Sequence, residues 1–135
     1  MAKKPLDASL VALNGAEVIG FGLGYGLGAE ELEGHLGIEV LPQLAHQGAP
    51  PTRVVAYQDD LGVLEGFRNK GIARRLFQER LKIFLSQDLE LGIVRTLQDP
   101  PSVTYDWYLR LGYEVIARYP DGRVIMVRSL QGLTK

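Results

Sequence analysis

The amino-acid sequence predicts a mixed α/β (α+β) fold, with a mostly antiparallel sheet and a central strand–helix–strand crossover. An Asn-Gly dipeptide at 14–15 separates two apolar segments and is the preferred two-residue hairpin turn. Apolar residues at helical spacing in 71–86 lie between the strand-like segments 53–64 and 90–97, which predicts a parallel strand pair joined by a helix. Pro-Asp-Gly at 120–122 separates two further apolar segments and predicts a closing hairpin.

The first hairpin, over residues 9–27, has an unusual second strand. Glycine occupies every even position from Gly20 to Gly28, and large apolar residues occupy the odd positions between them. Because side chains alternate along a strand, one face would carry only hydrogen atoms, which indicates close approach of a helix, a ligand or another backbone. The alternative is a flexible loop with incidental glycines. The even spacing excludes a Gly-x-Gly-x-x-Gly dinucleotide loop, and the chain has no P-loop motif.

The segment between the first hairpin and the crossover has the weakest pattern. Residues 28–52 mix short apolar pieces with Gly and Pro, which predicts an irregular connection with a helical turn at 29–34 and a short element at 36–46. In the helix 71–86 the apolar residues form one stripe, and we expect the charged residues, Arg80 among them, on the other side.

The last helix is predicted from its boundaries. Asp99 is followed by two prolines, a pattern that favours a helix start with Asp99 as the N-cap. The helix would run to about Leu111, and Gly112 would end it in the left-handed conformation. Strands at 113–119 and 123–129 complete the sheet.

The composition predicts a single globular domain over residues 1–135, because 46% of the residues are hydrophobic and 23% are charged. The net charge of −1 gives no electrostatic reason to expect nucleic acid or a membrane as a partner. Cysteine is absent, which excludes disulfides and thiolate chemistry. The sequence shows no signal-peptide pattern and no long apolar run, so we expect a cytoplasmic location. His35 and His46 lack the spacing of a metal-binding pair, and we expect no metal.

The start of the helix 71–86 has the features of an anion site. The first backbone N–H groups of a helix lack intrahelical partners, and the helix dipole favours negative charge there. Gly71 would let a ligand approach the backbone, yet the nearby charged side chains Arg68, Lys70, Arg74 and Arg75 are all cations. Cations at this end oppose the dipole by about 0.3–1 kcal/mol each, and a bound polyanion would remove the conflict. The alternative is a solvated basic turn.

Three segments carry a family resemblance. Arg-Asn-Lys-Gly-Ile-Ala at 68–73 fits an Arg/Gln-x-x-Gly-x-Gly/Ala motif, Leu-Gly-Val-Leu-Glu-Gly-Phe at 61–67 precedes it, and Trp-Tyr-Leu-Arg-Leu-Gly-Tyr at 107–113 fits a Tyr-x-x-x-Gly-Phe/Tyr segment. Together they resemble the GNAT superfamily of N-acetyltransferases over roughly residues 9–130. The resemblance implies one GNAT-like domain with a hairpin at 9–27, an irregular segment at 28–52, an acyl-CoA-binding core at 53–111 and a C-terminal hairpin at 113–130.

The resemblance also implies an activity and a cosubstrate. Members of the superfamily transfer an acetyl group from acetyl-CoA to an amine by direct attack, so no nucleophilic side chain is needed. The amides at the helix start would hold the pyrophosphate, and the splayed end of the strand 53–64 would hold the pantetheine arm. The residues implied to bind acetyl-CoA are Leu61, Val63, Arg68, Asn69, Lys70, Gly71, Ile72, Ala73 and Arg74.

By the same resemblance, Tyr108 matches the general acid that protonates the departing thiolate. A tyrosine pKa of about 10 suits this proton transfer. Tyr105 and Tyr113 are its nearest rivals.

The resemblance gives less certain positions for the other catalytic groups. Asp60 stands where some members hold a carboxylate, which would act as the base, and Asp59 and Glu65 are the alternatives. The backbone N–H of Val63 or Leu64 would polarise the thioester carbonyl.

Two departures from the superfamily pattern affect the acceptor site. The fold normally opens with a strand and two helices, but only about eight residues precede the hairpin here. Either residues 28–52 replace these helices, or a second subunit of a homodimer does, or the pocket is open, and we expect the bare glycine face to receive that replacement. Pro101 stands where many members hold an asparagine that contacts pantetheine. The alternative function is therefore a non-catalytic acyl-CoA-binding or dimeric structural relative.

Overall fold

In the computed structural model, which describes residues 6–133, the Asn-Gly turn closes the predicted first hairpin. Strand β2 (Leu10–Asn14) pairs antiparallel with the long strand β3 (Glu17–Gly28). Gly15 in the turn has a φ of 63°, which glycine adopts without a steric penalty. A further short strand, β1 (Leu6–Asp7), was not predicted and pairs with the far end of β3.

The predicted crossover is also present. Strand β4 (Val54–Val63) runs antiparallel to β3, and helix α3 (Ile72–Ser86) leads from β4 to the parallel strand β5 (Leu91–Leu97).

The predicted closing hairpin completes the sheet. Its strands are β6 (Glu114–Arg118) and β7 (Arg123–Ser129), and β7 pairs antiparallel with β5. The seven strands form one sheet in the order β1–β3–β4–β5–β7–β6, with β2 also on β3. The prediction of a mixed, mostly antiparallel sheet is confirmed.

Residues 28–52 contain two helices, where the sequence predicted a largely irregular connection. Helix α1 (Ala29–Leu36) ends at Gly37, whose φ of 68° and N–H bond to the Glu33 carbonyl close the last turn. Helix α2 (Leu41–His46) begins where the Glu33 carboxylate accepts the amides of Val40 and Leu41, at 2.9 and 3.1 Å. Residues 28–52 thus supply two helices after the hairpin. That these helices replace the missing pair at the acceptor site stays a prediction. Within residues 6–133 no helix has the length and hydropathy to cross a bilayer.

The two faces of the sheet carry separate apolar cores. Helices α1 and α2 cover one face. Helix α3 covers the other face together with α4 (Val103–Arg110). The prediction of Asp99 as N-cap is wrong, because the Ser102 hydroxyl accepts the Tyr105 amide at 3.1 Å. Asp99 and the residue after it both precede a proline, which disfavours helical backbone, so the helix starts only after the second proline.

The glycine face of β3 packs against α3, so the expectation that it receives residues 28–52 or a second subunit is wrong. A Cβ atom on Gly24 would lie 2.7 Å from Phe84 Cζ, and one on Gly20 would lie 3.2 Å from Leu76 Cδ1. Helices α1 and α2 instead pack on the opposite face of the strand, against Tyr25 and Leu27. The absent side chains make room for a helix of this chain.

Candidate functional site

A gap opens between the two parallel strands at the centre of the sheet. Strands β4 and β5 pair only from Ala56↔Gly92 to Gln58↔Val94, although β4 continues to Val63 and β5 to Leu97. Beyond Gln58 the two strands no longer share a hydrogen-bonded ladder, and the edge of β4 that faces β5 is open to another group.

A cavity of about 410 Å³ lies at this gap, between the end of β4, the start of α3 and the outer face of α4. Eight of the nine residues implied to bind acetyl-CoA line it: Leu61, Val63, Arg68, Asn69, Gly71, Ile72, Ala73 and Arg74. Lys70 does not line it, and its ammonium lies 5.7 Å from the centre of the Phe67 ring.

The start of α3 presents a row of unpartnered backbone amides to this cavity. The Arg68 amide bonds to the Glu65 carbonyl and the Arg75 amide bonds to the Gly71 carbonyl, but the six N–H groups of residues 69–74 have no acceptor among residues 6–133. Asn69 and Gly71 have φ values of 62° and 79°, a left-handed turn that gathers successive N–H groups into an anion-binding concavity. The first turn of α3 holds no acidic residue. This end of the cavity can therefore accept an anion.

The amides at the end of β4 divide between the sheet and the gap. The Leu64 N–H donates to the Ile19 carbonyl at 2.8 Å, so it is already used within the sheet. Because N–H groups alternate along a strand, those of Val63 and Leu61 point away from β3, toward the gap. The Leu61 N–H is held by the Asp60 carboxylate at 2.8 Å. Val63 is therefore the better placed of the two groups expected to polarise a carbonyl.

The cavity has a third wall that the sequence did not single out. Its residues on α4 are Val103, Thr104, Trp107 and Arg110. These positions are three or four residues apart or adjacent, so they lie on one face of the helix. The helical periodicity of 103–110 could have identified this face from the sequence. Pro101 does not line the cavity.

The three tyrosines of this region differ in their hydroxyl partners. Tyr113 donates to Gln58 Oε1 at 2.6 Å, and the Tyr105 hydroxyl accepts from Gln98 at 2.8 Å. Tyr108 lies on the inner side of α4, is 6% exposed and is not part of the cavity wall. Among residues 6–133 no group accepts a hydrogen bond from its hydroxyl. Burial raises the pKa of Tyr108, and the guanidinium of Arg80 opposes that rise.

The carboxylates expected near the site have different surroundings. The β3–β4 register shifts between Leu23↔Asp60 and Gly24↔Gln58, so Asp59 is the extra residue of a β-bulge. The Asp59 carboxylate accepts the Tyr25 hydroxyl, and burial together with this carboxylate raises the pKa of Tyr25.

Asp60 is exposed, and its charge acts on both Tyr25 and Tyr108. Glu65 is exposed in the short 3₁₀ turn Glu65–Phe67 after β4. Within residues 6–133 no three potential metal ligands cluster together.

A splayed parallel strand pair beside a row of free amides at a helix start is the architecture of the acyl-CoA N-acyltransferase fold. The chain belongs to the acetyltransferase (GNAT) family, whose model matches residues 2–113. No curated protein sequence is significantly similar to it.

Several solved structures share the fold. A protein from Pyrococcus horikoshii OT3 is 18% identical with a TM-score of 0.65, over 90% of this chain and 64% of that one. PaiA N-acetyltransferase from Thermoplasma acidophilum, in complex with coenzyme A, is 17% identical with a TM-score of 0.61, over 91% of this chain and 60% of that one. A mutant agmatine N-acetyltransferase in its apo form is 18% identical with a TM-score of 0.69, over 90% of this chain and 76% of that one. The chain thus spans less than two thirds of the first two of these proteins.

Proposed function

We propose that the protein is an N-acetyltransferase that moves an acetyl group from acetyl-CoA to an amine by direct attack. The observation that carries the proposal is the row of six unpartnered amides at 69–74, beside a cavity that five of these six residues line. A row of amides without acidic neighbours suits a polyanion, and diphosphate is the polyanion of coenzyme A.

The binding roles follow from the position of each group in the cavity. The amides of 69–74 would hold the diphosphate, with Arg68 and Arg74 adding positive charge at the rim. Arg68 Nε donates to the Val63 carbonyl at 3.0 Å, which ties the loop to the end of β4. The backbone groups of β4 that face the gap, such as the Leu61 carbonyl, would bind the amide groups of the pantetheine arm, as a further strand would. Acetyl-CoA would thus lie with its thioester near Val63.

The transfer needs no covalent enzyme intermediate. The amine nitrogen would form a bond to the thioester carbonyl carbon while the Val63 N–H stabilises the charge on its oxygen. The carbon–sulfur bond would then break, and Tyr108 would give its hydroxyl proton to the departing sulfur once the bound thioester extends past the cavity wall to the inner side of α4. Tyr108 suits this role better than Tyr113 because the Tyr113 proton is committed to Gln58. The raised pKa of Tyr108 keeps that proton in place at neutral pH.

The proton of the attacking amine requires a base, and two carboxylates are candidates. Asp60 is exposed at the edge of the gap, and its charge acts on Tyr108. Asp59 lies in the bulge with Tyr25, and its charge also acts on Tyr57 and Arg95. Separate Asp60→Asn and Asp59→Asn variants would assign the base. The variant whose rate no longer falls at acidic pH identifies the carboxylate that accepts the proton.

The solved relatives support coenzyme A and an amine as the two substrates. The PaiA structure contains coenzyme A, and agmatine N-acetyltransferase is named for an amine substrate. We extend only the chemical class of acceptor, an amine, to this chain. A cytoplasmic location and a homodimer are further proposals from the sequence, and light scattering on the purified protein tests the second.

A thiol-release assay with acetyl-CoA and a panel of amines tests the proposal. We expect turnover with at least one amine, and Tyr108→Phe should lower kcat by about 10²–10³-fold while the Kd for coenzyme A is unchanged. Tyr105→Phe is the matched control and should retain activity. Binding of coenzyme A without turnover on any amine would favour the non-catalytic alternative, and absence of binding would contradict both.

A further inference from the structure

Arg80, at the centre of α3, is a completely buried cation. Its exposed fraction is 0%, although the sequence pattern assigned it to the polar side of the helix. It lies three residues after Phe77 and four after Leu76, which is the spacing of the buried stripe. Within residues 6–133 Arg80 forms no ion pair, so no carboxylate neutralises it there.

The guanidinium bonds to both strands at the β-bulge. Arg80 Nη1 donates to the carbonyl oxygens of Leu23 and Asp60, each at 2.9 Å. Leu23 and Asp60 are also the last paired residues before the register shifts. Arg80 therefore links the two strands directly beside the bulge, where the regular ladder is interrupted.

The glycines of β3 make the space that Arg80 occupies. A Cβ atom on Gly24 would lie 3.1 Å from Arg80 Cδ, and one on Gly22 would lie 3.8 Å from Arg80 Nη1. Two glycines of the bare face therefore line the position of a buried arginine, in addition to admitting Phe84.

Two nitrogens of the same guanidinium remain unpartnered. Nε and Nη2 are buried and have no hydrogen-bond acceptor among residues 6–133. An incompletely satisfied buried cation is destabilising, so packing alone gives no reason for an arginine here. The guanidinium carbon of Arg80 lies 6.0 Å from the centre of the Phe77 ring, and that ring lies 6.1 Å from the ring of Tyr108. The charged and titratable groups around Tyr108 are Arg80 on α3, Asp60 on β4 and Tyr113 before β6, and the Arg80 charge acts to lower the pKa of Tyr108.

We propose that Arg80 is a positioning residue of the transfer reaction, which fixes the bulge at Asp59 and holds a positive charge beside the Tyr108 hydroxyl. The inference rests on the proposed function. When the Tyr108 O–H bond breaks and the proton joins the sulfur, a phenolate is left in a buried site. Arg80 would stabilise that negative charge, which a neutral core residue could not do. Through its bonds to Leu23 and Asp60 it would also fix the part of β4 that leads to the gap.

Three variants on α3 test this role. Arg80→Met removes the charge and both carbonyl bonds, Arg80→Lys retains the charge, and Lys82→Met is the control because Lys82 is an exposed cation on the same helix. We expect Arg80→Met to lower kcat by about 10²-fold and leave the Kd for coenzyme A within about threefold, because the diphosphate seat is elsewhere. The alkaline limb of its rate profile should move to higher pH. Arg80→Lys should recover at least about tenfold of the lost kcat.

A structural role alone predicts a different result. Equal losses in kcat and coenzyme A affinity, or an unshifted alkaline limb in a folded Arg80→Met protein, would overturn the proposal. If Arg80→Met does not fold, the kcat of Arg80→Lys tests the proposal instead. Because lysine retains the positive charge, a kcat as low as that of Tyr108→Phe would contradict the proposed effect of the charge.

A titration separates this inference from the proposed function. The ultraviolet absorbance of tyrosinate, measured with and without the Tyr108→Phe change, reports the ionisation of Tyr108 even in a protein without turnover. We expect Tyr108 to ionise at higher pH in Arg80→Met than in wild type or Lys82→Met. Identical titrations would overturn the inference whatever the activity of the protein.

Discussion

The two faces of the central strands β3 and β4 are built in different ways. Under α3 the core includes buried polar groups: Arg80, Gln58 and Tyr113 are each 2% exposed or less, and Tyr108 is 6% exposed. Under α1 and α2 the buried side chains are apolar apart from the Tyr57 hydroxyl and the Oε1 atom of the half-buried Gln43, and the polar groups Asp59 and Arg95 are half-buried.

The difference indicates where the fold is most constrained. Apolar side chains tolerate repacking, whereas buried polar groups need partners at fixed places. The α3 face also carries the amides of 69–74, so the cavity proposed to bind coenzyme A and the constrained core share one helix. The opposite face is covered by helices from the Gly- and Pro-rich segment 28–52.

The largest effect is expected from alkaline pH, and it acts on both faces. Burial raises the pKa of Tyr108 and Tyr113 on the α3 face, and it raises that of Tyr25 and, to about 12, that of Tyr57 on the other. A raised folded-state pKa contributes stability that is complete below the unfolded value of 10.0 and is lost as the pH rises through the folded value. The free energy of unfolding should therefore fall above pH 10.

Urea unfolding at a series of pH values measures this loss. Phenylalanine at Tyr113 or at Tyr57 should remove part of the pH dependence, and the two variants compare the faces directly. A free energy of unfolding that stays constant between pH 10 and 12 would contradict the assigned burial.

The next largest effect is steric and is confined to the α3 face. Gly24→Ala places a Cβ 2.7 Å from Phe84 Cζ, and we expect it to lower the free energy of unfolding by about 1–3 kcal/mol. Gly22→Ala is the matched control on the same strand face, because its nearest contact is 3.3 Å from the side chain of Leu61, and its loss should be smaller. Equal stabilities of Gly24→Ala and wild type in urea unfolding would show that α3 does not pack closely against β3 at Gly24.

The cofactor cavity is tested by two glycines with the same backbone conformation. Gly71 and Gly37 have φ values of 79° and 68°, and neither would bring a Cβ within 4 Å of another group. Alanine should cost each site about 1–2 kcal/mol of backbone strain. Only Gly71→Ala should also weaken coenzyme A binding, by about tenfold, because only Gly71 shapes the amide row. Equal Kd values for the two variants in calorimetry would argue against an anion seat at α3.

The smallest predicted effect has the opposite sign. Gly34 is exposed within α1, and an added Cβ would meet nothing within 4 Å. Gly34→Ala should raise the free energy of unfolding by about 0.5–1 kcal/mol, because alanine restricts the unfolded chain and favours helix. A loss of stability in urea unfolding would mean that α1 is not helical at this residue.

Local pattern was sufficient for much of this fold. The hairpins, the crossover and α3 follow from Asn-Gly and Pro-Asp-Gly turns and from helical periodicity. Of the thirteen residues that line the cavity, eight are implied by the family resemblance. Helices α1 and α2 have eight and six residues, and their boundaries depend on the long-range packing of Leu32 and Leu44, which a local pattern does not contain.

Arg80 was assigned to the solvent face because a charged residue is expected there. Its burial depends on the missing side chains of Gly22 and Gly24 on a distant strand. The glycines of β3 leave the space in which Arg80 is buried, but this relation can be recognised only once β3 and α3 are known to be in contact.

A titration of the ¹⁵N-labelled protein with coenzyme A, followed by amide chemical shifts, tests the central claim most directly. The account predicts saturable shifts that are largest for the amides of 69–74, with further shifts at Leu61 and Val63 and small ones in α1 and α2. Saturable shifts centred elsewhere, or none at all, would contradict the assignment of the α3 start as the diphosphate seat.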